Sequence, residues 1–255
     1  MRVVTVGTGT VVPDPDRASA CLWIEIPDAR IVLDCGAGAL QGMARAGLDW
    51  GETTHLVLSH FHNDHLNDVP ALFFALRYGR AVPRTRPLQV LGPVGVRPLF
   101  ERWARALGDW LIEPGFPLTI TGLGPQEVSP VGVGTLRAHP TPHTEESLAY
   151  RLEAPGGTLG YTGDTGESTE VADFLAGVDL LVAECSLPDD QAIDHHLTPA
   201  RVARMAVRAR PGRLALTHVY PQLRGEDLAA QIRAAGYAGP VVHAHDGLEF
   251  RLDAR

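Results

Sequence analysis

The sequence turns on six residues, His60-Phe61-His62-Asn63-Asp64-His65, which set three imidazoles and a carboxylate almost side by side. They directly follow the apolar run Leu56-Val57-Leu58, itself preceded by the turn-forming Gly51-Glu52-Thr53-Thr54. A short valine- and leucine-rich run bounded by turn signals reads as a buried strand. The donors are therefore expected on the loop leaving a strand end, where a rigid scaffold presents functional groups. Imidazole nitrogen and carboxylate oxygen are the donors that Zn²⁺ and similar divalent ions prefer. Single histidines are common in surface loops, but four donors at this density predict a metal site. Any further ligands should then lie just past other strand ends.

Composition narrows the setting. At 255 residues and 45% hydrophobic content the chain has ample material for a core, as one large domain or two small ones. No stretch approaches the roughly 20 apolar residues needed to cross a bilayer. Met1-Arg2-Val3-Val4-Thr5-Val6 enters a strand at once, which leaves no room for a signal peptide. Cys21, Cys35 and Cys185 are odd in number and far apart, so no disulfide framework is expected, and a cytoplasmic location follows. The net charge of −8 argues against a broad nucleic-acid-binding surface. Every basic side chain is arginine, which removes Schiff-base chemistry and a P-loop lysine from consideration.

Along the chain, residues 3–6 read as a strand that ends in Gly7-Thr8-Gly9-Thr10. That turn lacks a G-x-G-x-x-G spacing and a following helix pattern, so it is expected as a tight turn near the site. The alternating runs 21–26 and 30–33 predict a hairpin around Pro27-Asp28-Ala29. Asp34-Cys35-Gly36-Ala37-Gly38 closes that strand before a short helix over 39–47. Beyond the histidine motif, Val69, Leu72, Phe73 and Leu76 recur at helical spacing. The loop carrying Arg77, Arg80, Arg84 and Arg86 reads as a solvated face, with a substrate clamp as the alternative. A strand over 88–91 and a helix over 94–107 follow, then strands over 117–121, 131–138, 147–153 and 157–161. Ser168 should cap a helix that runs to Leu175, and Thr198 with Pro199 should open another that buries Val202, Met205 and Ala206. Strands over 180–182 and 214–216, a helix over 226–235 and two closing strands complete the chain. The order of elements repeats over 1–110 and 115–255 without a linker, which predicts a single α/β domain over 1–255 with two related halves.

Strand ends select the remaining donors. His218 follows the strand over 214–216, and Asp164 lies between glycines after Leu159-Gly160-Tyr161. His143 sits in a Pro/Thr loop past the strand that ends near Ala138, with His139 as its nearest competitor. His55, His139, His243 and His245 are expected to be structural. The motif with these additions supplies six or seven donors, enough for two adjacent metals.

Together these residues resemble the metallo-β-lactamase superfamily, whose mark is H-x-H-x-D-H after a strand. His60, His62, Asp64 and His65 match it in full, and His143, Asp164 and His218 match the later ligand positions in order. The resemblance implies an α/β fold, a four-layer αβ/βα sandwich with two pseudo-symmetric halves. It also implies two divalent metal ions per chain, zinc first, with manganese or iron as alternatives. One ion would take His60, His62 and His143, the other Asp64, His65 and His218, with Asp164 bridging. A narrower resemblance points to the ribonuclease Z-like branch, which contains tRNA 3′-processing endonucleases and small-molecule phosphodiesterases. Val182-Ala183-Glu184-Cys185-Ser186 is similar to its H-E-A-T segment, His196-Leu197-Thr198 to its H-S-T segment, and Pro13 to Ala18 to its P-T-K-x-R-N loop. Pro15, Ala18 and Ala183 depart from that pattern at the lysine, the asparagine and the first histidine. Only twenty residues separate His143 from Asp164, too few for the long arm with which many ribonuclease Z enzymes grip tRNA.

The resemblance thus implies binuclear metal-dependent hydrolysis of a small or cyclic phosphodiester, with metal-acidified water attacking phosphorus. Asp64, Glu184 and His196 form the expected catalytic set. His196 would contact the scissile phosphate or protonate the leaving oxygen, and Glu184 would orient that imidazole and raise its pKa. Arg17 and His196 are the expected substrate contacts. The alternatives are a ribonuclease Z-type tRNA 3′-end endonuclease, a lactone, thioester or carboxylic-ester hydrolase, and a non-catalytic metal-binding protein. A small phosphodiester is the expected partner ahead of RNA, with no membrane, and with a homodimer expected from relatives in the branch.

Overall fold

The computed structural model describes residues 1–79 and 81–253. The chain first lays down β1 (Arg2–Gly7), β2 (Cys21–Ile26), β3 (Ala29–Leu33), β4 (His55–Val57), β5 (Leu88–Pro93) and β6 (Leu118–Leu123), which pair in that order. A second sheet follows from β7 (Val128–Val131), β8 (Gly134–Pro140), β9 (Leu148–Ala154), β10 (Gly157–Tyr161), β11 (Leu180–Glu184), β12 (Leu214–Thr217) and β13 (Val241–His243). The last strand, β14 (Leu248–Arg251), returns to the first sheet and pairs antiparallel with β1. Each sheet therefore has seven strands. Read from β14 or from β7, the pairings are three antiparallel and then three parallel.

This matching pattern is the two-halved order expected from sequence, but its boundary lies elsewhere. The strand expected over 117–121 is β6 of the first sheet, and the final strand closes that sheet's far edge. The strand expected over 131–138 is a hairpin, β7–β8, whose turn includes Gly132 at φ 54°. Periodicity alone passes through that turn because apolar valines flank it on both sides.

The sheets face each other across a core that includes Ile24, Ile31, Leu33, Leu136, Tyr150, Leu152 and Leu159. Helices α1 (Ala39–Arg45), α2 (Asn63–Leu66), α3 (Val69–Tyr78) and α4 (Val96–Leu107) cover the outer face of the first sheet. Helices α5 (Thr169–Phe174), α6 (Pro199–Ala209) and α7 (Leu228–Ala234) cover that of the second. The result is a four-layer αβ/βα sandwich. Val69, Leu72, Phe73 and Leu76 are the buried stripe of α3, as their spacing predicts. Parallel strands β11 and β12 are buried along their whole length, because helices and the facing sheet cover both sides. Ser168 caps α5 by accepting from the Val171 amide, whereas Thr198 opens α6 without a side-chain cap.

Among its described residues the arginine loop is largely exposed, as expected, with Arg84 the exception. Arg84 is buried and donates to the carbonyls of Gly51, Thr53, Arg86 and Pro87, with its guanidinium 5.0 Å from the Phe116 ring. Arg86 pairs with Glu52 at 3.0 Å and Arg77 reaches the Glu113 carbonyl. Arg80 lies outside the described residues. No helix among the described residues is long and apolar enough to cross a membrane.

Candidate metal centre

Strands β1, β3 and β4 in one sheet, and β8, β10, β11 and β12 in the other, all deliver their C-terminal ends to one edge of the sandwich. His60 to His62 leave β4 as a loop, but Asp64 and His65 lie on α2, correcting the expectation that the whole motif is a loop. Gly36 makes this turn possible: a Cβ there would come within 1.9 Å of the Asp64 carbonyl oxygen. From the second sheet, His143 follows β8, Asp164 follows β10 and His218 follows β12. His218 holds φ at 53° and Asp34, after β3, at 56°, left-handed backbone that non-glycine residues adopt at a cost.

The side chains converge. His60, His62, His143 and Asp164 form one set, and Asp64, His65 and His218 another, with the ligand atoms of each set within 4.8 Å of one another. Asp164 joins them, with Oδ2 3.9 Å from His60 Nε2, 3.7 Å from His143 Nε2 and 3.5 Å from His218 Nε2. His218 Nε2 is also 3.2 Å from Asp64 Oδ2 and 3.3 Å from His65 Nε2. Among the described residues, His60 Nε2 and Asp164 Oδ1 are buried with no hydrogen-bond partner. An unpartnered buried polar atom costs about 1–3 kcal/mol, and imidazole nitrogens aimed at one another gain little. A divalent cation between them removes both problems, and the nitrogen and oxygen donor chemistry fits one.

Electrostatics shape the set. Burial, then the neighbouring His65, push the His60 imidazolium well below its usual pKa. Burial opposes charge on His65 too, but Asp164 and Asp34 outweigh it and raise its pKa. Asp164 remains well below the usual carboxylate range, because His218 and His65 overcome the burial that disfavours its charge.

A family model described as the beta-lactamase superfamily domain matches residues 29–219, which spans β3 to the site end of β12. The chain belongs to the beta-lactamase superfamily. Ribonuclease Z of Mycobacterium bovis is 26% identical over 247 residues, covering 88% of this chain and 87% of its own. The metallo-beta-lactamase fold protein YhfI of Bacillus subtilis superposes with a TM-score of 0.86 at 23% identity, over 98% of both chains. Human tRNase Z, short form, does so at 0.82 and 22% identity, over 100% of both chains. The ribonuclease Z relatives support the ribonuclease Z-like branch of the superfamily, and the family makes this member a hydrolase.

Within this superfamily member, His196 and Glu184 lie against the cluster. The buried Glu184 carboxylate holds His196 Nδ1 at 3.1 Å through both oxygens, and accepts the amides of Thr165 and Leu197. The His196 ring packs 4.9 Å from His143 and 5.8 Å from His218. Burial works against its charge, but the hydrogen bond and charge of Glu184 outweigh it and raise its pKa. Arg17 is not directed at the cluster. Its guanidinium donates to Thr8 Oγ1 and the Ala244 carbonyl and meets His243 Nε2 at 3.0 Å. His55 bonds Thr54, and His139 stacks on Phe174.

Two features escaped sequence reasoning. Asp34 is buried at the end of β3 and accepts from His65 Nδ1 at 2.8 Å, Tyr161 at 2.8 Å and Ser59. Its signal was present: an acid before glycines past a strand end, the pattern that singled out Asp164. Ser59 and Ser186 had no signal, since serine beside a histidine or a glutamate is commonplace.

Proposed function

We propose that this hydrolase is a binuclear metal-dependent phosphodiesterase of small or cyclic phosphodiesters. His60, His62 and His143 would hold one divalent ion and Asp64, His65 and His218 the other, with Asp164 contributing to both sets. Zinc is the first expectation, with manganese or iron as alternatives. Ions bound there acidify water and offset charge on the phosphoryl oxygens.

The observation that carries the phosphodiester reading is the Glu184–His196 pair against the cluster. Glu184 accepts the Nδ1 proton of His196, which fixes the ring and favours its protonated form. His196 Nε2–H then donates to a phosphoryl oxygen and hands its proton to the leaving alkoxide. Alkoxides are poor leaving groups without such an acid. Arg17 acts indirectly, tying the 10–19 segment to Thr8 just past β1 and to His243 and Ala244 at the end of β13. Two features favour a small substrate. β9 and β10 are joined only by Pro155-Gly156, leaving no arm between His143 and Asp164. The recess beside Phe61, Val94 and Pro140 carries Glu145 and Glu146, carboxylates that repel a polyanion.

The second reading, a tRNA 3′-end endonuclease, is favoured by the names and coverage of the ribonuclease Z relatives. The test is a turnover screen of the metal-loaded protein over cyclic nucleotides, cyclic sugar phosphates, a chromogenic phosphodiester, a tRNA precursor, a lactone and a thioester. The proposal expects cleavage of the small phosphodiesters. Cleavage of the precursor alone selects the endonuclease, lactone or thioester turnover alone selects carboxyl-ester chemistry, and two metals with no turnover selects a binding protein. A homodimer accompanies the proposal and is checked by light scattering.

A further inference from the structure

Two groups on opposite sheets share one construction. In the first sheet, Asp34 accepts directly from His65 Nδ1 at 2.8 Å and from the Ser59 hydroxyl at 2.7 Å, and Ser59 Oγ lies 3.0 Å from His60 Nδ1. In the second, Glu184 takes His196 Nδ1 at 3.1 Å and the Ser186 hydroxyl at 2.5 Å, and Ser186 Oγ lies 3.0 Å from His218 Nδ1. Each group is one buried carboxylate, one buried serine and two imidazoles. The carboxylate holds one ring directly and the other through the serine.

We propose that Ser59 and Ser186 are positioning residues that lock His60 and His218 in the Nδ1–H tautomer, so that each turns a bare Nε2 toward the metal centre. The argument is a proton count. A serine hydroxyl has one proton, and a carboxylate at 2.7 Å or 2.5 Å claims it, because charge-assisted O–H···O⁻ bonds are the short, strong ones. The serine oxygen is then left as an acceptor. An imidazole nitrogen 3.0 Å from it is placed to donate, so Nδ1 carries the hydrogen; on His218 this contact competes with the Asp64 carboxylate 3.2 Å from Nε2, and the proposal requires the serine contact to win. Among the described residues His60 Nε2 has no hydrogen-bond partner, so no acceptor there favours the opposite tautomer. Asp34 takes His65 Nδ1 without an intermediary, which anchors that ring by the same nitrogen. Glu184 thereby serves two rings at once, orienting His196 directly and His218 through Ser186.

The inference rests on the metal-centre reading, and the experiment separates the two. Nitrogen-15 NMR of the metal-free, histidine-labelled protein reads the tautomers of His60 and His218 with no metal and no turnover. The expected result is Nδ1–H for both in wild type, and mixed tautomers for His218 in Ser186→Ala and for His60 in Ser59→Ala. Metal titration of the same proteins should show affinity about 10–100-fold weaker in the alanine variants, recovered in Ser186→Thr and Ser59→Thr, which keep the hydroxyl. Wild-type His218 or His60 in the Nε2–H form overturns the proposal, whether or not the variants fold. Unchanged tautomer and affinity in both alanine variants also overturn it. A wild type that binds no metal yet shows the expected tautomers sinks the metal-centre reading and leaves the serine assignment standing.

Discussion

His196 and Gly36 test the site by different means. If His196 supplies the proton to the leaving oxygen, His196→Ala should lower kcat about 10²–10⁴-fold on an alkyl phosphodiester. The loss should be much smaller with a p-nitrophenyl leaving group, which departs without a proton. Equal losses on both substrates would falsify the acid role. Gly36→Ala reports on backbone instead. Its new methyl would occupy the space of the Asp64 carbonyl oxygen, 1.9 Å from the ideal position, so the α2 turn must shift. Bound metal should fall below two per chain as measured by elemental analysis, even in protein that keeps its circular dichroism. At this scale the motif donors were legible, because a metal needs nitrogen and oxygen donors close together and sequence can display that density. Asp34 was legible in principle. Ser59 and Ser186 were not, since their roles come from what stands opposite them.

Among the elements, α3 shows the clearest passage from pattern to packing. Phe73 is fully buried and meets Phe100 of α4 at 5.3 Å between ring centroids, so the two helices share a core over the first sheet. Phe73→Ala should cost about 3–5 kcal/mol, combining lost burial with a cavity, and a urea midpoint measurement checks it. At the start of α5, Ser168→Ala removes the acceptor of the Val171 amide and should cost about 0.5–2 kcal/mol. An unchanged midpoint in that variant would mean that water replaces the cap. The β7–β8 hairpin reads as one strand in the sequence because its valines keep alternating through the turn. Arg84 was read as solvated because arginine usually is. In the fold, carbonyls of Gly51, Thr53, Arg86 and Pro87 surround it and satisfy its donors.

At the scale of the whole molecule, the metal centre is also a fastener. His60, His62, Asp64 and His65 come from the first sheet, and His143, Asp164 and His218 from the second. Ions bound between them would hold the sheets together at that edge, since binding to the folded state alone stabilises it by mass action. Removing metal with a chelator should therefore lower the thermal midpoint, and zinc at about 100 times its dissociation constant should restore about 2.7 kcal/mol per site. A midpoint indifferent to chelator and to zinc would show that no such fastening exists. The sequence alone determined which donors exist, that they follow strand ends, and that two similar halves were present. Those properties are local, set by residue type and by spacing along one segment. The sandwich decided the rest: the return of β14 to the first sheet, the diversion of Arg17 to Thr8 and His243, and the meeting of Asp34 with His65 and of Ser186 with His218. Neighbouring strands of one sheet bring Asp34 to His65 and Ser186 to His218, β14 closes against β1 in the same way, and Arg17 reaches His243 from the first sheet to the second; strand pairing and sheet packing, not local sequence, set these contacts. The motif His60 to His65 names the donors; the facing sheet completes their surroundings.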